Sequence, residues 1–392
     1  FKQKTAYEIM PSLVGSEMCI RDSLYCDCCR IRGRPSWDAL AAPKRAAMRG
    51  AGLDNRKKME YRTLDIGVIG GGLLGSAFAY GFSQRGLNVG LIDEGDNAVR
   101  TARGNFGLVW VQGKGKGMRE YAQWSLKSAN AWPTFSDDLF DLTGTGVDYH
   151  RPGGFHIAVD EAELEEHVAT LEQLRSEAGE EGYDYELVQG QTLAQHLPGI
   201  GEQVPGATYC PHDGHVNPLR LLRALQEGFD RNGGSYLPLL GIDRIEPLNS
   251  GGFELFSKGR RIAGCEKLVI AAGHGSRALG DQVGIDVPIH PEKGQIVVTE
   301  RSAESLAYPT NLVRQTDEGG FMLGPSARDV GFDADTNTGT LQEIVRRCAT
   351  AFPYLRGLRI QRSWAALRIM TPDGFPVYSQ SEKFPGAFAF SC

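Results

Sequence analysis

DIGVIGGGLLGS, residues 65–76, reads as a short buried strand, a glycine-rich turn and the start of a helix. Gly70, Gly72 and Gly75 fit the spacing G-x-G-x-x-G of dinucleotide-binding turns. The first glycine permits a tight turn, the second lets the backbone approach a pyrophosphate, and the third lets helix and strand pack closely. The phosphates then lie at the positive end of the helix. The stretch therefore predicts an α/β fold with a Rossmann-like nucleotide-binding domain.

The next predicted strand supports this interpretation. NVGLID, residues 88–93, ends in Asp93, eighteen residues after Gly75. A carboxylate at this point accepts the two ribose hydroxyls of an adenosine and repels a 2′-phosphate. FAD and NAD both contain such an adenosine, so this region alone does not distinguish them.

Composition narrows the range of partners. The 392 residues carry a formal charge of −6, and no basic stripe follows residue 62, which argues against nucleic acid as the main partner. Because no run of eighteen apolar residues occurs, the sequence predicts no membrane-spanning helix. We expect a cytoplasmic protein, with peripheral attachment at the inner membrane left open. Cys210, Cys265, Cys348 and Cys392 are isolated, which fits a reducing compartment.

Two segments precede the glycine-rich turn. Residues 1–23 have neither helical nor strand periodicity and resemble a translated sequencing adapter, so we expect them to be non-native. Residues 24–61 also lack periodicity, and we expect a disordered or translated upstream segment with Met59 as the natural start. The cysteines of YCDCC in this segment have no second pair at ligand spacing, so no metal site is predicted.

Glycine and small residues follow the second predicted strand, where an NAD enzyme usually continues with regular βα units. This segment and four later motifs are RTARGNFGLVWVQGKGKG (100–117), DGHVNPLRLLRAL (213–225), KLVIAAGHGS (267–276), HPEKGQIVV (290–298) and WAALRIMTPDGFPV (364–377). In this order they resemble the FAD-dependent amine and D-amino-acid oxidoreductases, which include glycine oxidase, sarcosine oxidase, D-amino-acid dehydrogenase and one of the opine oxidase subunits. One departure is Lys293, where the family usually carries arginine.

The resemblance implies a non-covalently bound FAD and an oxidoreductase activity. In such enzymes a hydride moves from the carbon that bears nitrogen to flavin N5, and water hydrolyses the resulting imine to a keto acid. The three glycines of the turn would bind the pyrophosphate. The other implied contacts are Leu73 and Leu74 with the pyrophosphate, Asp93 and Glu94 with the ribose, Thr101 and Ala102 with the phosphates, Phe106, Gly107 and Leu108 with the flavin ring, Ile242 with the adenine, and Gly273 beneath the cofactor.

Arg368, in WAALR, stands at the family's carboxylate-binding position. A guanidinium suits this role because its planar fork matches two carboxylate oxygens and keeps its charge. Leu312 replaces a tyrosine that contacts the substrate in glycine oxidase, which disfavours glycine itself. Arg314 and Gln315 are therefore candidates for contact with a larger or more acidic substrate, such as an opine-like secondary amine, or are solvated strand residues. We predict no catalytic base, because a neutral amine assists hydride departure with its own lone pair.

Two other functions stay open. A 2-hydroxy-acid oxidoreductase on the same fold would use Arg368 in the same way but would need a base for the hydroxyl. A non-catalytic flavin-fold subunit would instead act through its partners in a heteromeric oxidase. The sequence also leaves open whether oxygen, a quinone or a partner subunit accepts the electrons, and whether the protein is a homo- or hetero-oligomer.

The resemblance divides the chain into two discontinuous domains. The substrate domain is expected to be α+β, with a mixed, largely antiparallel sheet that roofs the flavin. The FAD-binding domain is expected to be truncated, because family members continue beyond Cys392 with a turn and a final helix. The FAD-binding domain takes residues 62–146, 206–282 and 379–392, and the substrate domain takes residues 147–205 and 283–378.

Overall fold

A computed structural model describes residues 61–95, 101–178 and 184–391. The predictions for residues 1–23 and for nearly all of 24–61 lie outside the described residues. The strands are β1 (Arg62–Ile69), β2 (Val89–Ile92), β3 (Leu108–Val109), β4 (Gly154–Ala158), β5 (Glu186–Val188), β6 (Gly206–Cys210), β7 (Gly214–His215), β8 (Ser235–Leu237), β9 (Arg244–Pro247), β10 (Phe253–Ser257), β11 (Arg260–Ile270), β12 (His290–Arg301), β13 (Val313–Gln315), β14 (Gly320–Leu323), β15 (Ile360–Met370), β16 (Val377–Gln380) and β17 (Ala387–Ser391). The α-helices are α1 (Leu73–Ser83), α2 (Arg119–Thr143), α3 (Glu161–Ala178), α4 (Gly190–His196), α5 (Pro218–Arg231), α6 (Ser276–Gln282) and α7 (Thr338–Ala351).

The largest sheet in the described part of the chain has the order β16-β17-β11-β1-β2-β8, with β10 beside β11 and β9 beside β10. β1 pairs in parallel with both β11 and β2. Parallel strands covered on both faces need apolar residues in succession, and Val68, Leu91 and Leu268 are 0 % exposed. Since α1 follows β1 directly across the glycine-rich turn, the predicted Rossmann-like fold is confirmed.

A second sheet, β13-β14-β12-β15, is antiparallel throughout, whereas the prediction for the substrate domain is a mixed, largely antiparallel sheet. β12 and β15 pair over ten positions, from His290 opposite Met370 to Thr299 opposite Ile360. One apolar core joins this sheet to α7 and to a three-stranded sheet of order β4-β6-β5, with Phe155 at its centre. The opposite face of the antiparallel sheet is therefore left for the candidate site.

Strand pairing crosses two of the predicted domain boundaries. β6 begins at Gly206, where the FAD-binding domain is predicted to resume, and it pairs with β4 and β5. β16 begins at Val377, two residues before the last predicted FAD-binding piece, and it pairs with β17 of the large sheet. The domain boundaries stay predictions.

Two partly buried histidines stack on each other between β4 and α3. The rings of His156 and His167 lie 3.5 Å apart, centroid to centroid, at an interplanar angle of 14°. Burial lowers the pKa of His156 to about 3, with the neighbouring His167 as the next cause, and burial lowers the pKa of His167 to about 4. Both rings are therefore neutral in the folded protein at pH 7.

We predict that this stack makes the protein acid-labile. Below pH 6.5 the unfolded chain binds protons at both histidines while the folded chain does not, so stability falls as the pH drops from 6.5 towards 4, by up to about 1.4 kcal/mol per pH unit for each histidine. Replacing His167 by Phe should flatten this dependence in urea unfolding measured across that pH range. The exposed His290→Gln variant is the control. Equal slopes for the wild type and H167F would contradict the prediction.

Candidate active site

The glycine-rich turn is tightly packed on one side and open on the other. Gly70 has φ +108°, and a Cβ there would lie 2.2 Å from the carbonyl oxygen of Ala271 at the end of β11. A Cβ on Gly75 would lie 1.8 Å from the oxygen of Gly70. A Cβ on Gly72 would meet no atom within 4 Å, and Gly72 stands at the N-terminus of α1 without a side-chain cap. The turn thus offers an open backbone at a helix N-terminus, which suits a pyrophosphate.

Asp93 lies against this turn, at the end of β2. Its carboxylate accepts hydrogen bonds from the backbone amides of Gly71 (2.6 Å) and Gly95 (2.8 Å), and the residue is 7 % exposed. The structure therefore brings the predicted ribose-binding acid beside the predicted pyrophosphate-binding glycines. Glu94, the next residue, is exposed.

Two turns predicted to contact FAD reach the outer edge of β15. Thr101 Oγ1 donates to the carbonyl oxygen of Leu367 (2.9 Å), and His274 Nε2 lies 3.4 Å from the same oxygen. A Cβ on Gly273 would lie 3.5 Å from Ile369 Cδ1. The turn predicted to bind the phosphates and the turn predicted to lie beneath the cofactor thus both contact the strand that carries Arg368.

Ile242 lies in the core of the large sheet. It stands two residues before β9 and is 9 % exposed. Its contact with the adenine stays a prediction, as do the contacts of Leu73, Leu74 and Ala102.

Phe106 covers one face of the antiparallel sheet. Its ring packs with Ile296, Val298, Met322 and Trp364, a group we call the apolar box. Such a group keeps water away from whatever binds beside it. The box lies beside the segment predicted to border the flavin ring.

Gly107 and Leu108 continue this segment towards β7. Gly107 has φ +88°, and a Cβ there would lie 2.3 Å from the carbonyl oxygen of Val216. Leu108 pairs with His215. Burial lowers the pKa of His215 to about 4, with Arg314 and His150 as further causes, so its ring is neutral at pH 7.

Arg314 is a buried cation at the far side of Phe106. The residue is 4 % exposed, its Nε donates to the carbonyl oxygen of Phe106, and its guanidinium lies 5.9 Å from the Phe106 ring. Burial lowers the pKa of Arg314 to about 10, although Asp317 and Glu318 oppose that effect. Among the described residues no carboxylate forms an ion pair with it within 4.0 Å.

The side chains of Gln315 and Leu312, by contrast, already contact other parts of the protein. The side-chain amide of Gln315 accepts from Leu306 N and donates to the carbonyl oxygens of Glu304 and Gly319. Leu312 is 2 % exposed within the core shared with β4 and α7. Gln315 therefore braces the neighbouring loop, and the contact of Arg314 with a substrate stays a prediction.

Arg368 crosses its neighbouring strand to reach two acceptors. Its Nη1 donates to Glu292 Oε1 (2.7 Å), directly opposite in the register, and to the carbonyl oxygen of Ser326 (2.8 Å). The side chain passes close over Gly294, where a Cβ would lie 2.9 Å from Arg368 Nη2. The side chains of Arg368 and Glu292 are 37 % and 27 % exposed, so a ligand can reach both.

The sequence alone does not identify Glu292 as the neighbour of Arg368. Glu292 lies in HPEKGQIVV, but which residue faces Arg368 depends on the register between β12 and β15. Lys293, the departure from the family pattern, points to the other face, where its Nζ binds Asp333 Oδ2 at 2.6 Å. The signal that could have found Glu292 is an acid on a strand predicted to run beside WAALR.

The described helices include none that is long and apolar enough to cross a membrane. In the same part of the chain, no group of three or more His, Cys, Asp or Glu side chains is arranged to hold a metal ion. The described cysteines Cys210, Cys265 and Cys348 are buried and free, and burial raises the pKa of each to about 12. These thiols therefore remain protonated at pH 7.

The parallel sheet with its open glycine turn, joined to an antiparallel sheet that carries a reachable arginine, defines a nucleotide-dependent enzyme of the flavoprotein class. Comparison with known sequences is decisive: the profile described as FAD dependent oxidoreductase matches residues 65–392. The chain belongs to the FAD-dependent oxidoreductase family, and FAD is its cofactor. The open space at Gly72 and the buried Asp93 carboxylate beside it fit that cofactor.

Individual relatives agree with this membership. The chain is 37 % identical over 329 residues to an opine oxidase subunit from Agrobacterium tumefaciens (strain Ach5), covering 84 % of this chain and 88 % of that protein. It is 24 % identical over 319 residues to glycine oxidase of Bacillus licheniformis, covering 80 % and 83 %. The crystal structure of glycine oxidase from Geobacillus kaustophilus superposes with a TM-score of 0.77 at 22 % identity, covering 84 % of this chain and 89 % of that one. The last likeness shows the fold.

We predict that alanine at Gly72 weakens FAD binding, whereas alanine at Gly75 weakens folding. Gly72→Ala should leave the stability of the FAD-free protein within about 0.5 kcal/mol, because its φ of −72° suits alanine and no atom lies near. The added methyl should weaken FAD binding by at least about tenfold, since it occupies the space at the turn. Gly75→Ala should instead destabilise the FAD-free protein by about 1–3 kcal/mol through overpacking. Flavin fluorescence titration and urea unfolding measure the two effects. An unchanged FAD affinity for G72A would contradict the first part.

Proposed function

We propose that the protein oxidises an amino acid or secondary amine that carries a carboxylate. The observation that carries this proposal is Arg368, a solvent-reachable guanidinium beside the apolar box and on the strand that the two predicted FAD-contacting turns approach. Arg368 binds the substrate carboxylate through its planar fork. The relative at 37 % identity is named as part of an opine oxidase, which supports an amine substrate.

Each part of the site has a task in this reaction. FAD, when bound, supplies the acceptor for the hydride that leaves the substrate carbon. Arg368 fixes the carboxylate and thereby the position of the adjacent carbon, which is a matter of alignment rather than of proton transfer. Phe106 and Trp364 of the apolar box exclude water from that carbon. The imine product is hydrolysed to a keto acid.

Arg314 sets the size of the substrate in this proposal. Arg314 and Arg368 stand on the first and last strands of the antiparallel sheet, and the registers place their Cα atoms roughly 25 Å apart by ordinary strand spacing and rise. A small amino acid held by Arg368 does not span that distance. An extended, opine-like secondary amine with a distal acidic group does come within reach of Arg314, whose buried charge lacks an ion-pair partner among the described residues.

Two rival functions make different predictions. A 2-hydroxy-acid oxidoreductase would reduce its flavin with 2-hydroxyglutarate and not with sarcosine, D-amino acids or D-hydroxyproline. A non-catalytic subunit would bind FAD but would be reduced by none of them. The name of the opine oxidase relative includes a subunit designation, so each assay is run with the isolated chain and with co-purified partners. Comparing oxygen with a quinone as oxidant identifies the electron acceptor.

We predict that Arg368→Lys lowers kcat/KM for the best amine substrate by about 10- to 100-fold, because a point charge holds a carboxylate without fixing its rotation. Anaerobic flavin bleaching under stopped flow measures this change. Arg328→Lys is the matched control, since Arg328 forms an exposed ion pair with Glu343. Retention of full kcat/KM by R368K would refute the role given to Arg368.

Arg314 has a separate test based on substrate length. Iminodiacetate and N-carboxymethyl-6-aminohexanoate share a secondary amine but differ in the separation of their carboxylates. Arg314→Gln should raise KM about tenfold for the longer compound and leave KM for iminodiacetate within about twofold. Arg346→Gln, at an exposed position of α7, is the control. An equal rise for both compounds would show that Arg314 acts only by bracing Phe106.

A further inference from the structure

Arg368 and Glu292 form an isolated pair of opposite charges on the ligand-accessible face of the antiparallel sheet. Glu292 Oε1 accepts from Arg368 Nη1, and its Oε2 has no hydrogen bond within the described part of the chain. Both side chains are partly exposed rather than sealed in the core. The pair therefore retains a free acceptor next to a guanidinium whose Nη2 donors also remain available.

An amino acid or N-substituted amino acid has the complementary arrangement. Its carboxylate and its cationic amine are attached to the same carbon, so two opposite charges lie only a few ångströms apart. We propose that Glu292 binds the cationic substrate amine while Arg368 binds the carboxylate. Before the hydride leaves, the amine loses one proton to solvent by way of the partly exposed Glu292 carboxylate, which frees the nitrogen lone pair. The internal ion pair opens when the substrate enters, and two intermolecular pairs replace it. This assignment rests on the proposed function, because it requires an amine substrate on Arg368.

Two other acidic side chains near β12 bind partners of their own. Asp333 binds Lys293 on the opposite face of the strand, and Glu343 pairs with Arg328. Glu292 is the acid that the register sets on the same face as Arg368. The amine of a ligand held by Arg368 therefore has this carboxylate as its near neighbour.

Glu292 also makes the site selective. With Glu292 present, Arg368 and its partner are together neutral, so a ligand that brings only a carboxylate must compete with an existing ion pair. A zwitterion compensates both groups at once. The pair thus favours amino acids over hydroxy acids or ethers of the same shape, which is the distinction between the proposed function and its closest rival.

Iminodiacetate and diglycolate test this assignment because they share one skeleton and differ in an NH₂⁺ group against an ether oxygen. We expect Glu292→Gln to weaken the binding of iminodiacetate by at least about tenfold, a loss of about 1.4 kcal/mol. Binding of diglycolate should stay equal or tighten, because the competing carboxylate is gone. The dissociation constants come from the perturbation of the flavin absorbance by diglycolate, from the concentration dependence of anaerobic flavin reduction by iminodiacetate, and from calorimetry on the FAD-free protein.

Matched variants make the result interpretable. Glu343→Gln removes the same charge from a surface ion pair and should change neither constant. Glu292→Asp keeps the charge and should recover most of the lost affinity, which a fold defect would not allow. Flavin content and melting temperature confirm that each variant is folded.

The results distinguish a failure of the role given to Glu292 from a failure of the proposed function. Equal weakening of both ligands by E292Q would mean that Glu292 only positions Arg368, and unchanged binding of iminodiacetate would remove Glu292 from the site; either result overturns the assignment. Wild-type protein whose flavin no amine reduces would overturn the proposed function itself. Selective loss of iminodiacetate with rescue by E292D supports the assignment.

Discussion

The register between β12 and β15 is the constraint on which the candidate active site depends. Ten backbone pairs fix it, and a slip of one residue would turn every side chain of a strand to the other face. With Glu292 opposite Arg368, the charged pair shares a face with the apolar box. Lys293 then falls on the other face, where it binds Asp333. One set of hydrogen bonds between strands thus decides which charges a ligand meets.

The two candidate arginines are held in opposite ways. Arg368 keeps its counter-ion, Glu292, and some contact with solvent, so its charge costs little in the free protein. Arg314 is almost fully buried, and this burial lowers its pKa to about 10; its Nε donates to the carbonyl oxygen of Phe106. A buried cation without an ion-pair partner within the described chain gains more from an incoming anion than a compensated one does.

The nucleotide-binding half of the fold could be predicted because its parts are neighbours in sequence. The spacing of Gly70, Gly72 and Gly75 predicts β1 and α1 within a few residues. Glu292 escaped prediction because it lies 76 residues from Arg368 and meets it only through strand register. The pairing of β6 with β4 has the same origin, since the two strands are distant in sequence. The spacing of residues along the chain predicts individual strands and helices, whereas strand pairing decides which sheet each strand joins.

β15 is the outermost strand of the antiparallel sheet, and its free side would expose unpaired backbone groups. The 3₁₀ turn Thr101–Gly104 covers part of that side, with Thr101 bonded to the Leu367 carbonyl oxygen and Gly104 packed on Ala366. Exposed strand edges are templates for pairing with other chains. The turn that is predicted to contact FAD therefore also covers a strand edge that could otherwise pair with another chain.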